Sequence, residues 1–193
     1  FPTRRSSDLW TENFGMALYS MAITLKPSFK EAIHFLALTH FNLGEYDSAE
    51  VYWLKAIAVD VGYSAPYGGL SKIRKLKKKS WEANNLLGLQ EAYKGNLPIA
   101  YNHFQNALYG NPDFTPAYYN IGLCCALLGK YDLALTNLKK AHNIMAQSPL
   151  PAAALSFLFA KQHKEKEAEQ WKRISDATQK SHTIPPIEKS FMF

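Results

Sequence analysis

Two stretches set the pattern of this chain. "AIHFLALTHF" (32–41) and "YYNIGLCCALL" (118–128) place apolar residues at i, i+3, i+4 and i+7, the spacing of a helix with one buried face. The pattern also recurs at long range. "GEYDSAEVYWLKAIAVD" (44–60), "GNLPIAYNHFQNALYGNP" (95–112) and "GKYDLALTNLKKAHNI" (129–144) align without gaps. Each carries a Gly, a small residue five positions on, a large residue four later and an Ala three after that. The small residues are Ala49, Ala100 and Ala134. "FGMALYSMAITLKP" places Gly15 in the same slot upstream, and "EKEAEQWKRIS" places Ala168 there downstream, so successive spacings are 34, 51, 34 and 34 residues.

Two helices of about thirteen residues with two short turns make a unit of that length. The small residue sits where two helices cross closest. The Gly ends the first helix in a left-handed conformation. Pro27 and Pro112 follow the second helix and stop it. One hairpin of this kind cannot bury its own apolar face, so neighbours must stack. Elements "LLG" (86–88), "IG" (121–122), "GEYDSA" (44–49), "GKYDLA" (129–134) and "NP" (111–112) resemble the tetratricopeptide repeat in register. The resemblance spans about residues 10 to 179. It departs where the family has Trp, since those slots hold Ile33, Asn84, Tyr118 and Ala152, and where His163 stands in a Gly slot. It implies an all-α fold, an α-solenoid of helix-turn-helix repeats winding as a right-handed superhelix. The expected units are 28–61, 81–114, 115–148 and 149–180, with a half unit at 10–27.

The half unit has a second helix (12–25) whose partner helix is missing, so it is expected to expose apolar surface. The nonapeptide "FPTRRSSDL" stands where that partner belongs. It equals what the sequencing adapter TTCCCTACACGACGCTCTTCCGATCT encodes in one frame, so residues 1–9 are read as adapter-derived and set aside from the fold. Further repeats or another domain are expected ahead of Trp10.

The 51-residue step holds 17 extra residues, half a repeat, within 62–80. "GYSAPYGG" reads as a loop. From Leu70 on, Leu70, Ile73 and Leu76 share a helical face, as a short helix or an extension of the next one. The insertion is expected to split the stack into two blocks. Its basic run, Lys72, Arg74, Lys75, Lys77, Lys78 and Lys79, accounts for the whole formal charge of +6. An acidic partner, anionic lipid or nucleic acid would suit it. Charge runs are usually solvated faces, and no aromatic stacking platform surrounds this one, so the solvated reading is preferred and nucleic acid disfavoured. "SHTIPPIEKSFMF" (181–193) leaves helical periodicity at Pro185 and Pro186 and reads as a frayed tail.

Composition adds little: 47% hydrophobic and 20% charged residues suit an ordinary globular chain. Apolar runs such as "AAALSFLFA" fall short of a bilayer span, so no membrane partner is expected. Two adjacent cysteines, Cys124 and Cys125, cannot build a disulfide framework and read as small buried side chains, which favours a reducing, cytoplasmic setting. There is no phosphate-binding Gly loop, no His-x-x-x-His, no spaced Cys pair and no nucleophile elbow. No enzyme activity, cofactor or metal is expected from residues 10–193.

The resemblance implies a ligand groove on the first helices. In register it holds Phe35, Leu38 and Phe41, then Asn85, Leu89 and Tyr93, then Tyr119, Asn120 and Leu123, then Phe157. The lining is apolar and aromatic with amides, and lacks the cationic constellation with which some members clamp a C-terminal carboxylate. A protein or peptide partner follows: an apolar extended peptide or an amphipathic helix. Two alternatives stay open. The chain is the repeat segment of a larger enzyme, such as a glycosyltransferase, or a basic docking module using residues 72–79.

Overall fold

The computed structural model describes residues 6–178, with side chains from Phe14 onward. Residues 1–5 and the expected tail at 181–193 lie outside the described residues. Ten helices and no strand are found among those described. They fall into two compact units, 1–77 and 78–193. The division lies inside the basic run.

The first unit holds α1 (Ser6–Leu25), α2 (Lys30–Asn42), α3 (Tyr46–Val59) and α4 (Ala65–Leu76). Helix α1 begins within the nonapeptide, at Ser6. Helices α2 and α3 form the hairpin, closed by Ala32, Ile33, Leu36 and Ala37 from one side and Ala49, Trp53, Ala56 and Ile57 from the other. Lys30 ties the two ends of this hairpin by donating to Asp60 at 2.7 Å.

Helix α4 corrects the loop expected at 62–69, for Ala65 to Gly69 are helical. Pro66 lies in the first turn, where its missing N–H costs nothing and its fixed φ suits a helix. Gly69 belongs in a helix here because the Trp53 indole lies against it. A Cβ at Gly69 would come within 2.3 Å of Trp53 Cε2. Tyr67, Leu70 and Ile73 are buried on the same helix, and the Tyr67 hydroxyl donates to the Val61 carbonyl at 2.8 Å. The 17 extra residues therefore supply a first-type helix that packs on α3 and touches α2. They supply no second helix to follow it.

The second unit holds α5 (Ser80–Tyr93), α6 (Leu97–Gly110), α7 (Thr115–Leu127), α8 (Tyr131–Ile144), α9 (Pro149–Lys161) and α10 (Glu165–Thr178). These make three hairpins in sequence, α5 with α6, α7 with α8 and α9 with α10, each packed on the next. Within a hairpin the crossing is tight. A Cβ at Gly88 would lie 2.4 Å from Phe104 Cε1, and one at Gly122 would lie 2.6 Å from Leu138 Cγ. Large residues on second helices thus fill space that the first helices leave by having no side chain. Ser148 caps α9 by accepting from the Leu150 N–H. Cys124 and Cys125 are buried and unbridged, and burial pushes both thiols up, Cys124 furthest.

Candidate functional site

In the first unit, α2 presents an aromatic strip. Phe35 is 45% exposed and stacks on Tyr19 of α1 with ring centroids 5.6 Å apart and 19° between planes. His34 stands edge-on to both Phe35 and Tyr63. Its Nδ1 accepts from Trp53 Nε1 at 3.1 Å, so the neutral ring carries its proton on Nε2. Burial, then the charge of Lys72, holds the His34 pKa below its usual value. Phe41 leans on Tyr46 and on the fully buried Trp53. Leu38 is half-buried between the two Phe positions.

Lys72 of α4 reaches this strip, its Nζ lying 5.7 Å from the Phe41 ring centroid. The sequence sets Lys72 apart within the basic run, and the repeat phase counts Tyr19 among the packing positions without assigning it to the ligand surface. The signal was in the phase: α4 starts 35 residues after α2, as a first helix should.

In the second unit the expected positions divide by burial. Asn85, Leu89, Tyr119, Asn120 and Leu123 are all fully buried. Asn120 Nδ2 donates to Asn85 Oδ1 at 2.9 Å, joining α7 to α5 through two enclosed amides. Such side chains hold first helices to one another. They offer no surface to a ligand, and Leu123→Asp would bury a charge instead of probing a contact. Tyr93 and Phe157 remain half-exposed, and Lys161 Nζ lies 5.3 Å from the Phe157 ring. Position alone cannot separate lining from packing residues, because a middle repeat has neighbours on both sides.

The basic run is partly neutralised. Arg74 donates to Glu50 at 2.6 Å and Lys77 donates to the same carboxylate at 2.9 Å. In the second unit Lys79 pairs with Glu82 at 2.9 Å. Lys75 and Lys78 are exposed. Among the described residues no group of three or more His, Cys, Asp or Glu is arranged to hold a metal ion, and no helix is long and apolar enough to cross a membrane.

Paired helices of nearly equal length, glycine-relieved crossings in the α5–α6 and α7–α8 pairs and a 34-residue phase define a helical-repeat fold, the kind that serves as a scaffold for protein–protein interaction. Two of the repeats are detected as tetratricopeptide repeats, for the family model of that name matches residues 30–60 and 115–144. Solved structures agree on the fold. YrrB, a TPR protein described as having an unusual peptide-binding site, aligns at TM-score 0.52 and 18% identity over 85% of this chain and 93% of its own. A tetratricopeptide repeat protein from Parabacteroides merdae ATCC 43184 aligns at TM-score 0.52 and 13% identity, covering 89% of this chain and 74% of its own. The APC/C hetero-tetramer Cut9–Hcn1 supplies a chain that aligns at TM-score 0.54 and 20% identity, covering 90% of this chain and 38% of its own. No curated protein matches the sequence.

Proposed function

We propose that this chain is a non-catalytic interaction scaffold that holds an apolar extended peptide or an amphipathic helix against its first helices. The observation that carries this reading is the strip on α2. An aromatic ring left nearly half in water and stacked on a second ring, on a helix whose His34 and Phe41 lean on a buried Trp, is the make-up of an anchor site. The neighbouring Lys72 adds one cation to an otherwise apolar surface, which favours a ligand with an acidic group beside its apolar residues. Tyr93 and Phe157 extend the reading to the second unit as its accessible positions. Two YrrB features fit it, a shared fold and the peptide-binding site for which that protein is described.

The test begins with peptides selected from a displayed library on the full chain, followed by measured affinities for variants. Phe35→Ala should weaken a peptide held by the first unit, and Tyr93→Ala one held by the second, each by about tenfold or more. Tyr109→Ala, at a position 93% exposed on a second helix, should leave affinity unchanged. Loss with Tyr109→Ala and none with the other two would overturn the reading.

A further inference from the structure

His34 is set apart from its counterparts by what lies under it. In the later first helices its slot holds Asn85, Tyr119 and Ala153, of which the two polar residues are fully buried. His34 is only half-buried. The slot of Trp53 holds Tyr19, Phe104, Leu138 and Lys172 in the other second helices. Phe104 and Leu138 carry no donor, and Tyr19 and Lys172 are not enclosed. Trp53 is an enclosed donor, pinned at Gly69, where even a Cβ would meet its ring at 2.3 Å.

That fixed indole decides the chemistry of His34. An indole N–H only donates, so Nδ1 is held as an acceptor and the proton of the neutral ring is confined to Nε2. No acceptor among the described residues meets Nε2, and the atom is not enclosed. His34 therefore offers water one N–H in a set position, beside the rings of Phe35 and Tyr63, whose centroids lie 5.6 and 5.7 Å from its own.

The charges around it have a direction. Arg74 and Lys77 of α4 are matched by Glu50, and Lys30 is matched by Asp60. Lys72 has no ion-pair partner among the described residues; it lies over Phe41, and its field reaches His34. Glu31, one turn before His34, acts on Lys30 and Tyr63 at the other end of the strip. An acidic group brought against Phe35 thus meets a directional donor and an unmatched cation toward Phe41, and repulsion only toward Glu31.

We propose that His34 is a specificity-determining residue of the α2 strip: its Nε2–H donates to a carboxylate side chain of the bound peptide, an Asp or Glu next to the apolar residue seated on Phe35, and Lys72 supplies the opposite charge. The proposal deepens the function proposed above and rests on it. A backbone carbonyl would take the same hydrogen bond but gain little from Lys72.

The test uses peptides selected from a displayed library on the full chain and sorts them by Phe35→Ala, which weakens those held by the first unit. These should share an acidic residue, and exchanging it for its amide should weaken binding by about tenfold. His34→Asn keeps an amide oxygen near the place of Nδ1 and leaves no donor at Nε2, so there the same exchange should cost less than about twofold. His34→Gln carries an amide N–H out to the place of Nε2 and should restore most of the preference for the acid. A merely structural His34 would weaken acid and amide peptides alike in both variants, and that result overturns the proposal. So do first-unit peptides that share no acidic residue. If no selected peptide responds to Phe35→Ala, the reading of the strip itself falls, and this proposal with it.

Discussion

One backbone slot shows how much a single residue carries. The first helices end in a residue with positive φ: Gly44 at 83°, Gly95 at 87° and Gly129 at 74°. His163 takes the same slot after α9 with φ 57°, and Lys78 takes it after α4, also at 57°. A residue with a Cβ pays about 1 kcal/mol or more to sit there, and a glycine does not. His163→Gly should therefore raise stability by up to about 1 kcal/mol, read as a higher urea midpoint with unchanged slope. Gly129→Ala should lower it by a similar amount. His163 was visible in the sequence as the odd member of a Gly series. Lys78 was not, although it follows Gly44 by 34 residues. It sits in a run of cations, and the local composition hid the phase.

At the scale of elements, α4 is the instructive case. Read along the chain, its cations looked like a solvated face with no acid nearby. The structure brings in Glu50 from α3, 24 residues from Arg74. That distance in sequence is why the pair was illegible, whereas the hairpins, whose partners lie at a fixed spacing, were legible throughout. Arg74 foremost, then Lys77, holds the Glu50 carboxyl below the usual carboxylate range against the opposing effect of burial. A carboxyl depressed in the folded state contributes stability above its unfolded pKa of about 4.5 and loses that contribution as pH falls through the folded value. Glu50→Gln should thus cost about 1 kcal/mol at pH 7 and flatten the fall of Tm with pH below about 4.5. An unchanged acid limb in the variant would show that α4 is held by its buried Tyr67, Leu70 and Ile73 alone.

For the molecule as a whole, the fold was readable from a handful of small residues, because Gly88 and Gly122 mark crossings with no room for a Cβ and Ala49, Ala100 and Ala134 are fully buried in the matching second helices. The ligand surface was only half readable. Of the ten positions that the repeat register implied, Phe35, Leu38, Phe41, Tyr93 and Phe157 keep a face in water, and the other five are enclosed. Register assigns a side of the helix. Whether that side meets solvent or the next repeat depends on neighbours that no single unit encodes. The claim that matters most is that ligands meet the first helices and not the second. Amide hydrogen exchange of the full chain, with and without a peptide selected on it, tests this directly. Added protection should fall on α2 around Phe35 to Phe41, and in the second unit on the ends of α5 and α9 that carry Tyr93 and Phe157. Protection confined to the outer faces of α3, α6 and α8 would contradict the account.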